Sequence, residues 1–240
     1  MECKSYQIII MKTIGLIGGM SWESSIEYYS IINTQIKLRV GGLHSAKILM
    51  YSVDFAEIEH RQRLGDWNSL SQIMISAAQI LDYAGANCIL MCANTMHKVA
   101  SDVAKSINIP LIHIADATAS VIQKDGIKKV ALLGTKYTME EDFFKSILIN
   151  NYGLEVVIPN DKDRQIIHDV IYTELCNGTI NKQSKLEYIR IVNSLKEQGI
   201  EGVILGCTEI GLLVQECDLG IATYDTALIH AMSAVDFALG

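Results

Sequence analysis

The chain has 240 residues, is half apolar and 20% charged, and carries only two prolines, a composition that excludes disorder and allows a sizeable core. Its net charge of −7, with the basic residues scattered, argues against a nucleic-acid surface. Six cysteines without a secretory signal point to reduced thiols in a cytoplasmic protein, and apolar runs such as Ile8-Ile9-Ile10-Met11 are far too short to cross a bilayer.

Residues 1–10 stand apart as a candidate N-terminal leader before a natural start at Met11. From there, strand-like runs alternate with longer amphipathic segments: 13–17, 24–38, 46–53, 70–83, 88–91 and 96–106. That alternation predicts an α/β fold with mainly parallel strands. Ser21 or Ser24 is suited to cap the first helix, and Thr138 precedes the acids Glu140 and Glu141, which favour the positive end of a helix.

The chain also repeats itself. Gly85-Ala86-Asn87-Cys88-Ile89-Leu90-Met91-Cys92-Ala93-Asn94-Thr95 aligns without gaps on Gly199-Ile200-Glu201-Gly202-Val203-Ile204-Leu205-Gly206-Cys207-Thr208-Glu209, which sets Cys207 opposite Ala93. Lys12-Thr13-Ile14-Gly15-Leu16-Ile17-Gly18-Gly19 matches Lys128-Lys129-Val130-Ala131-Leu132-Leu133-Gly134-Thr135 at nearly the same offset, and Ile112 to Asp116 pairs more weakly with Ile221 to Asp225. The economical reading is two similar α/β lobes related by pseudo-twofold symmetry with a cleft between them. The first comprises 11–115 plus 221–240, and the second 116–220.

In parallel sheets, ligands bind beyond the carboxyl ends of the strands, where the next helix presents free N–H groups. Four such ends would converge on the cleft, at Met20-Ser21, Asn94-Thr95, Thr135 and Cys207-Thr208-Glu209, and predict a carboxylate site. Gly18-Gly19-Met20-Ser21 lacks the third glycine of a dinucleotide fingerprint. Cys88 and Cys92 would lie roughly 13 Å apart on a strand, too far to share a metal. No metal is therefore expected.

Ile14-Gly15-Leu16-Ile17-Gly18-Gly19-Met20-Ser21-Trp22, Asn94-Thr95-Met96-His97-Lys98 and Leu205-Gly206-Cys207-Thr208-Glu209-Ile210 resemble the aspartate/glutamate racemase family, especially its broad-specificity amino-acid and aspartate racemase branch. The resemblance covers nearly all the chain from Met11 onward. It implies a cofactor-independent enzyme that removes and returns the α-proton of a small acidic amino acid, and a homodimer, for which the helix around 26–38 offers apolar surface. Thiols suit such proton transfer, since their pKa lies near neutrality and falls at helix N-termini.

By the same resemblance Cys207 is a catalytic acid/base, and Asn94 and Thr95 bind the substrate carboxylate with Thr135, Thr208, Glu209, Met20 and Ser21 nearby. Gln62 matches a substrate-contacting position. Arg164 is a candidate clamp for a side-chain carboxylate, with an exposed surface arginine as the alternative. The family's first catalytic cysteine, a threonine in some members, falls here on Ala93. Cys92, one residue earlier, is either its replacement or a core thiol that strand alternation turns away. His97 reads as facing a helix terminus or packing structurally instead of acting as a base, His113, His168 and His230 read as polar residues near the lobe interface, and nothing around Lys98 forms a pyridoxal-phosphate site. A single-cysteine decarboxylase or isomerase, or a carboxylate-binding protein, remains the alternative function.

Overall fold

The computed structural model describes residues 10–240, so the candidate leader lies, up to residue 9, outside the described residues. In the first lobe, β1 (Ile14–Gly18) runs between β2 (Ile48–Ser52) and β3 (Cys88–Met91), all parallel, and Leu111 adds one further parallel bridge to Ile89. In the second, β4 (Lys129–Gly134) runs between β5 (Glu155–Val157) and β6 (Gly202–Gly206), and β7 (Ala222–Asp225) pairs outside β6. The order β5-β4-β6-β7 thus repeats β2-β1-β3 plus the bridge at Leu111, the pseudo-symmetric α/β architecture the sequence repeat predicts.

The weak third match is shifted by three residues. Leu111 pairs with Ile89 as Thr223 pairs with Val203, so Asp225 corresponds to His113, not to Asp116. Both residues cap the helix that follows: His113 Nδ1 accepts from the N–H of Ala115 at 3.2 Å, and Asp225 Oδ1 from that of Ala227 at 2.9 Å.

The first sheet is followed and covered by α1 (Trp22–Val40), α2 (Phe55–Leu64), α3 (Trp67–Tyr83) and the short α4 (Ala100–Lys105). Ser21, not Ser24, caps α1, accepting from the N–H of Ser24. Next comes α5 (Ile114–Lys124), and the second lobe adds α6 (Lys136–Glu140), α7 (Asp142–Ser146), α8 (Asp161–Thr173), α9 (Lys182–Lys196), α10 (Ile210–Leu213), α11 (Glu216–Leu219) and finally α12 (Thr226–Leu239). The cap of α6 is Thr135, whose hydroxyl accepts from the N–H of Thr138; the expected cap, Thr138, is itself inside the helix.

The two lobes exchange helices. Helix α5 leaves the first sheet yet buries Ile114, Ala115, Ala119 and Ile122 against Val130, Leu132 and Ile204 of the second. Helix α12 leaves the second sheet and buries Ala227, Ala231, Ala234 and Val235 against Ile14, Leu16, Tyr28 and Ile32 of the first. The expected lobe boundary at 221 falls one residue before β7, which stays with the second sheet, and the chain crosses over at Thr226. At the cleft end of that sheet the backbones crowd: a Cβ on Gly134 would lie 2.7 Å from the carbonyl oxygen of Gly206, and one on Gly206 2.8 Å from that of Leu133. Only glycine fits this approach.

Candidate active site

The carboxyl ends of β1, β3, β4 and β6 meet at one cavity between the lobes, as parallel-sheet topology dictates. Met20, Ala93, Asn94 and Thr95 line it from the first lobe; Thr135, Cys207, Thr208 and Glu209 line it from the second. It is narrow, with about 30 Å³ open to the centres of water molecules.

Cys207 is 8% exposed, one residue beyond β6. Its Sγ–H donates to Glu209 Oε2 at 2.9 Å. The same carboxylate accepts from the Thr208 hydroxyl at 2.6 Å and, across the lobes, from that of Ser21 at 2.9 Å. Burial, and then the Glu209 charge, push the thiol well above its ordinary value, so it rests protonated at neutral pH. Glu209, expected to touch substrate, lines the cavity and accepts from the thiol. Ser21, expected to bind substrate, does not line the cavity, and its hydroxyl is engaged with Glu209.

Thr95 Oγ1 and Thr135 Oγ1 share a 2.9 Å hydrogen bond across the lobes, and Thr135 Oγ1 lies 3.2 Å from Thr138 Oγ1. These buried hydroxyls are donors a carboxylate can recruit. Asn94 is different: its Nδ2 already donates to Thr226 Oγ1 at 2.9 Å.

Cys92 is not part of this site. It is fully buried on the opposite face of the strand end, in the core with Tyr28, Ile32, Leu90 and Ala231. Alternation along β3 turns its side chain away from the cavity that Ala93 faces, and burial raises its thiol pKa far out of reach of neutral pH. Arg164 is outside as well. Its guanidinium is held by Glu140 Oε1 at 2.8 Å, Asp161 Oδ1 at 2.7 Å and the carbonyl of Pro159 at 2.8 Å, and it does not line the cavity.

Gln62 is buried in the cavity wall, and it joins the lobes. Its Oε1 accepts from Tyr172 OH and its main-chain carbonyl from Tyr137 OH, both at 3.2 Å, while Nε2 contacts Met96 Sδ at 3.1 Å. Alongside, Lys98 pairs with Glu141 at 2.5 Å and lies over the Trp67 ring. Sequence reasoning missed Phe55, Met96, Ile171, Tyr172 and Cys176 in the lining. A usable signal existed: His168, Tyr172 and Cys176 recur every four residues along one face leading from α8 into the turn 175–177.

The histidines sit behind the site. His97 Nε2 accepts from the N–H of Ile114 at 3.3 Å, so its Nδ1 carries the proton and donates to the carbonyl of Ala93 at 2.8 Å. His230 lies between Tyr28 OH and the Ile112 carbonyl, 2.8 Å from each. Burial lowers both pKa values, that of His230 to about 3, so the rings are neutral structural links. His113 caps α5, and His168 accepts from the N–H of Lys136 at 3.3 Å beside Tyr172. Among the described residues no three His, Cys, Asp or Glu side chains are grouped to hold a metal ion, and no helix is long and apolar enough to cross a membrane.

Two parallel α/β lobes that close a thiol and a ring of hydroxyls between matching strand ends define a pseudo-symmetric cleft protein. The chain belongs to the Asp/Glu/hydantoin racemase family, whose model matches residues 17–234. It is 51% identical to a Yersinia pestis protein described as a candidate Asp/Glu racemase, with a TM-score of 0.90 over 96% of this chain and 100% of that one. Against an aspartate racemase homologue of Pyrococcus horikoshii the values are 38% and 0.81, over 95% and 99%. The broad specificity amino-acid racemase RacX of Bacillus subtilis is 24% identical over 174 residues, 71% of this chain and 73% of its own length.

Proposed function

We propose that the protein is a cofactor-independent amino-acid racemase acting on aspartate, glutamate or both, with Cys207 as the group that moves the α-proton. The observation that carries this reading is the Cys207–Glu209 pair, a protonated thiol on a carboxylate acceptor, lining one cavity with the Thr95 and Thr135 hydroxyls. With substrate bound, Glu209 takes the thiol proton and the thiolate takes the α-proton. The electron pair left on carbon spreads into the substrate carboxylate, where Thr95 and Thr135 donate hydrogen bonds. Reversal of these steps returns a proton to the same face.

Inversion needs a proton from the other face, and there Ala93 offers only a methyl group. That observation favours a second reading, in which a single thiol protonates a carbanion from one side, as a decarboxylase would require. The two are separated in deuterated water by following L- and D-aspartate and glutamate by NMR. Racemisation predicts deuterium at the α-carbon with inversion; exchange with retention points to the one-sided site, and no exchange in any of the four sinks the racemase assignment. The reading extends to a homodimer, for which Trp22, Ile26, Tyr29 and Leu38 give α1 an exposed apolar face. A monomer in analytical ultracentrifugation would remove that part.

A further inference from the structure

Asn94 lines the cavity, is only 4% exposed, and has a buried Oδ1 without a hydrogen-bond partner. Buried polar atoms in folded proteins are nearly always paired, so an orphan in a cavity wall marks a contact still to be made. Which atom of the amide is orphaned follows from Thr226. This residue is fully buried at the first position of α12, and its hydroxyl has one proton. Leu205 O, 2.7 Å away, can only accept, so the proton goes there. The hydroxyl lone pair must then receive a donor, and Asn94 turns its Nδ2 toward it at 2.9 Å. The carbonyl oxygen is left over by necessity.

The geometry points to Thr226 as a positioning residue that sets the polarity of the Asn94 amide, so that the site presents an acceptor for the α-ammonium group of an amino-acid substrate. The inference rests on the amino-acid reading above and makes it more specific. An unpartnered carbonyl repels a carboxylate and attracts an ammonium ion. The expected role of Asn94 as a carboxylate donor is thereby reassigned, and the carboxylate is left to the hydroxyls. Because Leu205 lies in β6, two residues before Cys207, the same chain of hydrogen bonds fixes Asn94 relative to the strand that carries the thiol. Threonine at 226 therefore joins one wall of the cavity to the other.

The test compares binding of L- and D-aspartate with binding of succinate, which has both carboxylates and no ammonium, by isothermal titration calorimetry, with glutamate and glutarate as a second set. The wild type is expected to hold at least one amino acid about tenfold more tightly than its ammonium-free counterpart, the worth of one hydrogen bond to a charged group. Thr226→Val, isosteric but without the hydroxyl, frees the amide to turn over. It should remove that preference while leaving succinate or glutarate affinity unchanged, and Thr226→Ser should restore it. A purely structural role would weaken both ligand classes together and overturn the proposal, as would a wild type with no preference. The proposal can fail in these ways while deuterium exchange still proceeds, whereas failure of the amino-acid reading shows as neither binding nor exchange in the wild type.

Discussion

At the end of β6 stands Cys207, oriented by Glu209 and bonded into a network that reaches Ser21 in the other lobe. At the corresponding end of β3 stands Ala93, with a methyl group facing the cavity and a carbonyl fixed by His97. The strands, their neighbours and their registers repeat, so the backbone supplies two equivalent stations and the side chains equip one of them. Symmetry of the frame does not carry over to the chemistry, because proton transfer depends on one atom at each station.

The largest expected effect comes from removing the equipped station. Cys207→Ala should lower α-proton exchange in deuterated water by about 10²- to 10⁴-fold, the usual contribution of a positioned acid/base group; exchange at the parent rate would take Cys207 out of the reaction. Next, Ala93→Cys equips the empty station and should raise inversion relative to retention by about 10²-fold, measured by chiral chromatography beside the exchange rate. No gain would mean that residue 93 does not face the α-carbon.

A third change weakens the hold on the thiol. Glu209→Gln removes the charge that, after burial, helps raise the Cys207 pKa, so alkylation of Cys207 by iodoacetamide at pH 8 should quicken. An unchanged alkylation profile would leave burial as the whole cause. Tyr172→Phe cuts one tie to Gln62 between the lobes and should change KM about fivefold, the worth of one neutral hydrogen bond, with less effect on kcat.

A last effect, on stability instead of turnover, is spread along the pH axis. His230 is fully buried with its pKa lowered to about 3, against about 6.5 in the unfolded chain. Below pH 6.5 the unfolded state binds a proton that the folded state refuses, so stability falls as the pH drops toward 3. The slope is at most about 1.4 kcal/mol per pH unit for this group, and His97 adds to it in the same direction. Urea melts at pH 7 and pH 5 should show the loss, and His230→Gln should flatten it.

The repeat made the fold and most of the cavity legible in the sequence, because strand ends in a parallel sheet converge wherever the strands themselves are recognisable. Cys207, Thr95 and Thr135 were reachable this way, whereas Gln62, in α2, was reached only through the family resemblance. Cys92 was open to either reading because one residue decides which face of a strand a side chain takes, and only the register with β1 fixes that at position 92. Arg164 was misleading for a different reason: an arginine's charge can be read from sequence, but its neutralisation by Glu140, 24 residues upstream, cannot. Tyr172 and Cys176 went unseen because a helix face gains meaning only once it is known which sheet end it overhangs.

The exchange of helices between lobes also ties the two sheets together at two neighbouring places. Two segments cross between the sheets, one entering α5 and one entering α12, and the His230 Nε2–H bond to the Ile112 carbonyl ties them together. At each crossing the residue before the helix accepts from the N–H groups of its first turn, His113 before α5 and Asp225 before α12. Gln62 to Tyr172 and Lys98 to Glu141 add ties between the lobes beside the cavity. The second crossing includes Thr226, so the residue that holds the Asn94 amide is also the point where the chain passes from one sheet to the other.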